Sequence, residues 1–313
     1  IHPFPFMDAS VTIVAVAAIN TAFRLVTVFA LAPFIGVLEK LTVRLVPQSD
    51  KHAEAPAHSD TGPILEDRFI NYPAVAFEQS RMAVNAMAAY AQENFLDALH
   101  LLSDYSEEGY DRVQELESLV DRYEDALGSY LLRITATELT AKQNEDLYEF
   151  LHAITDFERI SDHALNIANC AKEQYEKSIE FSQATEHELS VLQGAVSEVL
   201  EIAVQAFVND DVELALRVEP LEELIDGLCA EMKNHHIERL QKGICTLQHG
   251  FVFNDLLTNY ERIGDHCSNI AVAMIELAHD VFDAHEYLDS LKNIKNDAFN
   301  SSYEEFKAKY SLE

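Results

Sequence analysis

Between Val113 and Ile134 the apolar residues Val113, Leu116, Val120, Tyr123, Leu127, Tyr130 and Ile134 return at alternating steps of three and four. On a helix of 3.6 residues per turn this spacing gathers them into one stripe, the seam of a helical bundle. The same alternation runs through Ala153, Phe157, Ile160, Ala164, Ile167 and Ala171, and again through Val218, Leu221, Ile225, Leu228 and Met232. Upstream, Pro73 suits the first turn of a helix whose buried stripe is Met87, Ala91, Phe95, Ala98 and Leu102. Thr140 with Gln143 predicts a capping box, and Gln183 to Val208 a fourth helix. Asp210 is read as the next N-cap, and Gly243 and Gly250 are expected to bracket a turn before a sixth helix. Residues after about 283 read as a further amphipathic helix or a docking tail.

The front of the chain follows a different rule. From Ala9 to Leu38 the only charged residue is Arg24. A helix of that length rises about 45 Å, enough to cross a hydrocarbon core of about 30 Å, so residues 9–38 are expected to lie in a membrane. A signal peptide is the alternative, but a basic n-region and a small-residue cleavage site are missing. Asp8 precedes the span and Lys40 and Arg44 follow it, which places the chain after residue 40 in the cytoplasm, at a plasma (inner) membrane. A mid-span Arg costs roughly 2.5–3.5 kcal/mol and needs protein or a polar cavity around it. Together with an initial Ile rather than Met, Arg24 and Asn20 lead to the expectation that the sequence begins inside a larger membrane protein. Residues 47–71, rich in proline and small polar residues, read as a linker.

Composition sharpens this division. The formal net charge is -32. Within residues 1–50 the acids Asp8, Glu39 and Asp50 balance Arg24, Lys40 and Arg44, so the whole excess lies beyond them. Such a surface repels phosphate backbones and excludes nucleic acid as a partner. Cys170, Cys229, Cys245 and Cys267 have no CxxC spacing and read as buried or idle thiols in a reducing cytosol rather than as disulfides or a zinc site.

The acids themselves are patterned. Residues 150–169 match 253–272 without a gap at ten of twenty positions, and "RVQELESLVD" at 112–121 matches "RVEPLEELID" at 217–226 at six of ten. Two copies of a three-helix unit follow. Each holds two ExxxD pairs: Glu117 with Asp121 and Glu158 with Asp162 in the first, Glu222 with Asp226 and Glu261 with Asp265 in the second. Residues four apart on a helix share a face. Asn166 and Asn269 extend the third-helix stripes to i+8. The first glutamate of each pair follows a seam residue, so the stripes lie on the shoulder of the core, where two helices can bring them face to face. Four converging carboxylates call for a cation, and hard oxygen ligands suit Mg²⁺, Mn²⁺, Ca²⁺ or iron. Arg159 and Arg262 could instead neutralise the acids as purely structural partners. His163 and His266, at i+5, are expected to be packing or rim residues.

"FERISDHALNIA" and "YERIGDHCSNIA", with "LESLVD" and "LEELID" upstream, closely resemble the repeated signature of PhoU domains over about residues 72–282. The resemblance implies two three-helix bundles, metal clusters held by the ExxxD motifs, and a role in modulating phosphate uptake and signalling. "AAINTAFRLVTVFALAPF" resembles the last membrane segment of bacterial sodium/phosphate cotransporters, with Asn20 where His is usual and Arg24 where Asn is usual. "ILEDRFINYPAVAFEQ" resembles the passage of those proteins into a cytoplasmic PhoU-like domain.

The expected architecture is all-α: two repeated three-helix, PhoU-like bundles preceded by one transmembrane helix. Its parts are the last helix of a transporter domain (1–46), a linker (47–71), repeat 1 (72–182), repeat 2 (183–282) and a helical tail (283–313). The expected function is metal-dependent regulation of a sodium-dependent phosphate transporter. The cofactors are divalent or trivalent Mg, Mn or Fe ions on Glu117, Asp121, Glu158, Asp162, Asn166, Glu222, Asp226, Glu261, Asp265 and Asn269. The expected partners are the membrane and an upstream transporter domain, with a homodimer left open and the signalling partner unidentified. Two alternatives stand beside this reading. One is a metal-free acidic scaffold that docks a basic partner protein. The other is a ferritin-like di-metal enzyme using Glu149 with His152 and Glu276 with His279, although the second-repeat counterpart of Glu149 is Val252.

Overall fold

The computed structural model describes residues 62–279 and 297–312, together with Thr21, Phe23, Arg24, Leu25 and Thr27. The chain divides into two compact units, Ile1–Ser59 and Asp60–Glu313. In the first, the five described residues are helical, and the Thr27 hydroxyl donates to the Phe23 carbonyl at 2.8 Å. The rest of the expected membrane span, the linker up to residue 61 and the first part of the tail (283–296) lie outside the described residues.

The second unit is a stack of long helices: α1 (Pro73–Ser103), α2 (Glu107–Ile134), α3 (Ala141–Glu176), α4 (Gln183–Asn209), the single turn α5 (Val212–Ala215), α6 (Val218–Gln241), α7 (Leu247–His279) and α8 (Asp297–Lys309). Among the described residues there is no strand. Helices α1, α2 and α3 pack together as one bundle, α4, α6 and α7 as another, and α3 against α7 forms the main seam between them. Every residue of the α2 seam read from the sequence is buried, as is every one on α3 and α6. One helix among the described residues, α4, is long and apolar enough to cross a membrane. More than half of its apolar window is buried inside the unit (56%), the mark of a core helix.

Local chemistry sets most of the helix ends. Pro73 occupies the first turn of α1, where its missing N–H costs nothing. Ser106 caps α2 by accepting from the Gly109 amide at 3.1 Å. A Cβ on Gly109 would lie 2.8 Å from Leu101 Cδ2, so glycine in the first turn of α2 lets that side chain pack closely against it. Thr140 and Gln143 form the expected capping box.

Two expectations are corrected. Asp210 ends α4 in the left-handed conformation (φ 54°), and it is Asp211 whose carboxylate accepts from the Leu214 amide at 3.0 Å to start α5. A short polar residue tolerates that backbone best, which made the two aspartates hard to order by sequence. Gly250 lies inside α7 rather than in a turn. A Cβ there would sit 2.7 Å from His236 Nε2, so close packing explains it, whereas Gly243 (φ 70°) does terminate α6.

The end of the stretch read as a linker lies along the first bundle. The Tyr130 hydroxyl donates to the Glu66 carbonyl at 3.2 Å, and Arg133 pairs with Asp67 at 2.8 Å.

The seam between repeats is reciprocal. His163 Nδ1 lies 2.9 Å from Asn259 Oδ1, and His266 Nδ1 lies 2.9 Å from Asp156 Oδ1. Asn259 spends its own NH₂ on the Asp255 carbonyl, so its oxygen faces His163, which must donate. The two imidazoles stack with centroids 5.6 Å apart. Both histidines thus fill a packing role, as expected, but as the polar core of the inter-repeat seam.

Candidate metal centres

In the second repeat, α6 presents Glu222 and Asp226, one turn apart, to Asp265 on α7. One carboxylate oxygen from each lies within 4.8 Å of the others. Glu261, one turn before Asp265, accepts from Lys233 Nζ at 2.8 Å. Burial raises the proton affinity of Asp226, and the charges of Glu261 and Asp265 raise it further, while Lys233 opposes them. Oxygens at this spacing from two helices suit a hard cation with several oxygen ligands. Arg262 lies at the margin, 2.9 Å from Asp265.

In the first repeat, α2 supplies Glu117 and Asp121 and α3 supplies Glu158 and Asp162. Burial lifts the Glu117 carboxyl, with Asp162 and Asp121 adding to it. Glu158 is pushed up to about 7 by burial and then by Asp162, with Glu124 and Asp121 contributing and Arg159 opposing. Arg159 straddles the α3 pair, 3.4 Å from Glu158 and 3.3 Å from Asp162. In the second repeat three of the four carboxylates meet across the helix pair, and in the first the charge of Asp162 on α3 reaches Glu117 on α2. In both, burial first and neighbouring acids second raise the proton affinity of Glu117, Glu158 and Asp226.

The duplicated unit that carries both clusters has a known counterpart: the PhoU domain matches twice, at residues 84–171 and 189–274. This chain belongs to the PhoU family. It is similar to the Thermotoga maritima phosphate-specific transport system accessory protein PhoU homolog 1, with 26% identity over 68% of this chain and 86% of that protein. The Pseudomonas aeruginosa PhoU homolog is 24% identical over 69% of this chain and 88% of its own length. A Salmonella typhimurium putative inorganic phosphate export protein, YjbB, matches a longer stretch at 22% identity: 81% of this chain but only 46% of that protein. Crystal structures of PhoU from Pseudomonas aeruginosa (TM-score 0.61, 22% identity) and Streptococcus pneumoniae (0.60, 16%) each cover 67% of this chain and 99% of their own, and they share its fold.

Within this PhoU frame the two asparagines leave the acid stripes. Each i+4 step on an α-helix drifts about 40° around the axis, so i+8 has turned away by about 80°. Asn269 accordingly donates to Asp156 across the inter-repeat seam at 3.2 Å, and Asn166 is exposed. Three residues outside the sequence-based set belong to the clusters: Glu124, Lys233 and Glu219. Glu124 follows Asp121 by three and Lys233 follows Asp226 by seven, so helical spacing could have found both. Glu219, which accepts from Ser268 at 2.6 Å, acts on Asp226 from one turn before the ExxxD pair.

Other polar groups of this PhoU domain serve the scaffold. Buried Glu188 would be raised by burial, but hydrogen bonds from Arg239 (2.7 and 2.9 Å) and His235 (2.8 Å) hold it below the ordinary range. All four cysteines are free, and burial pushes the thiols of Cys170 and Cys229 up to about 12. Glu149 is buried and His152 exposed, so that Glu-x-x-His pair does not converge on one site.

Proposed function

We propose that this chain is the C-terminal part of a sodium/phosphate cotransporter-like protein. A last membrane helix leads through a linker into a cytoplasmic PhoU domain that modulates phosphate flux. The observation that carries the regulatory half is the in-register recurrence of the carboxylate cluster on duplicated helices of a PhoU fold, a family whose relatives are named as accessory proteins of phosphate transport. Attachment to a transporter draws support from the Salmonella match, which runs over 262 residues and leaves more than half of that longer protein outside it.

In this reading Glu117, Asp121, Glu158 and Asp162 hold metal in the first repeat, and Glu222, Asp226, Glu261 and Asp265 in the second. Mg, Mn or Fe bound there would tie α2 to α3 and α6 to α7, fixing the relation between helices that a transporter domain senses. Protein purified without chelator should contain metal, and alanine at Glu158, Asp162, Glu261 and Asp265 should abolish it with helical content nearly intact. Unchanged metal content in that variant would sink the ligand assignment.

A second reading draws on the ion pairs already present. Lys233, Arg159 and Arg262 neutralise part of each cluster from within, as a metal-free acidic scaffold for a basic partner protein would require. The same metal analysis on the unaltered chain separates the two, because a scaffold carries none.

A further inference from the structure

Helix α8 packs chiefly on α6 of the second repeat, and residues 280–296 connect it to the end of α7. Phe306 is its anchor, 1% exposed and lying beneath the Arg217 guanidinium at 5.2 Å. Around that anchor, Arg217 donates to Glu305 at 3.2 Å and Lys309 to Glu198 at 2.9 Å. The Tyr310 hydroxyl, just beyond the helix, donates to the Gly194 carbonyl at 3.1 Å.

Internal duplication supplies a control for this arrangement. The PhoU matches start at 84 and 189, and that offset pairs Arg217 with Arg112 and Glu198 with Glu93. In the first repeat Arg112 binds Glu93 directly and Asp97 at 2.7 Å. In the second, α8 supplies a partner to each equivalent, Glu305 for Arg217 and Lys309 for Glu198 Oε1, while Glu198 Oε2 stays buried without a hydrogen bond. Two further positions differ in a way that suits a docked helix. Asp97 becomes Ile202, removing a charge and leaving a buried apolar residue, and Ala89 becomes Gly194. A Cβ on Gly194 would lie 3.1 Å from the Tyr310 ring.

We propose that α8 is a displaceable latch, seated in a helix-docking groove of α4 and α6 by exchange of an ion pair that the first repeat keeps for itself. When α8 leaves, Arg217 and Glu198 fall back on each other as Arg112 and Glu93 do, so release strands neither charge. The seat is also unsealed at one end. A cleft of about 290 Å³ separates Ala298, Phe299 and Ser302 of the latch from Glu219 and Ile275. The groove recognises an amphipathic helix with an aromatic anchor flanked by a glutamate and, four residues on from it, a lysine.

The test uses the full chain and a fluorescent peptide of residues 297–312. Because its own α8 holds the seat, the unaltered chain should bind the peptide at least tenfold more weakly than the Phe306→Ala chain does. A peptide carrying Glu305→Arg and Lys309→Glu should lose binding to the Phe306→Ala chain and regain it when that chain also carries Arg217→Glu and Glu198→Lys. A Phe306→Ala chain of unchanged helical content that takes up no peptide, or binding indifferent to the charge reversal, overturns the proposal. Should Phe306→Ala unfold the repeat, the full chain with Glu305→Arg and Lys309→Glu, both largely solvent-facing, serves as host for the unaltered peptide under the same criteria.

Discussion

Three residues after Asp121 the first repeat places Glu124, where the second has Cys229; seven residues after Asp226 the second places Lys233, where the first has Gly128. Buried Glu149 of the first repeat likewise stands where the second has Val252. The helices and their seams are alike, and each repeat sets an arginine beside its third-helix pair, but the first adds a further acid where the second adds a lysine. A shared backbone thus fixes where carboxylates meet, while single side chains beside them set the local balance of charge. Lys233 holds Glu261 at 2.8 Å, so under the proposed metal-binding function an ion entering the second cluster would have to displace it, whereas one entering the first would displace protons, chiefly from Glu158.

The largest effect should come from removing one centre at a time. Asp121→Asn with Asp162→Asn should weaken Mn²⁺ binding in the first repeat by about 100-fold or more and leave the second unchanged, with Asp226→Asn and Asp265→Asn doing the converse. Calorimetric titration of both variants checks this, and simultaneous loss at both centres would deny their independence.

Glu149 gives the next effect. Burial pushes it up to about 7, above its unfolded value, so the folded state holds a proton that the unfolded state releases. Its cost is absent below about pH 4.5, grows as pH rises from there to about 7 and levels off above, at on the order of 3 kcal/mol. Glu149→Gln should therefore stabilise the protein at pH 8 and change little at pH 5, as read by denaturant unfolding at both values.

A smaller change should follow from exchanging the local cation. Lys233→Met should tighten metal binding in the second repeat by about tenfold, and Gly128→Lys should weaken it in the first by a similar factor, since one nearby charge is worth about 1.4 kcal/mol here. A Cβ at Gly128 comes no closer than 3.9 Å to Ile154, so the lysine has room to start. The smallest effect belongs to Asp156→Asn, which gives both halves of the inter-repeat seam the same acceptor. Less than about 1 kcal/mol should be lost at neutral pH, because the amide oxygen still accepts from His266 as Asn259 accepts from His163.

Seams such as Val113 to Ile134 were legible because a bundle core repeats along one dimension, and the capping box at Thr140 because its partners are three residues apart. The pairing of ExxxD motifs was legible only through the duplication, which showed that the acids recur in register. Spacing of seven puts Lys233 on the face of Asp226, but its bond to Glu261 depends on how α6 and α7 are aligned in space. Asn269 was misplaced for a related reason: sequence spacing put it on the acid stripe, while helical drift turned it to the other repeat. The pairing of Arg217 and Glu198 with α8 was out of reach, since neither partner lies near the tail in sequence.

The crossed bonds from His163 to Asn259 and from His266 to Asp156 have a consequence for symmetry. Each histidine reaches the residue seven positions before its own counterpart, so the seam is related to itself by a half-turn between the two stacked rings. That is the contact a homodimer of one-repeat chains makes, with the same patch used twice. Within one chain the two copies need not match each other, and the aspartate opposite one histidine and the asparagine opposite its twin are where they differ.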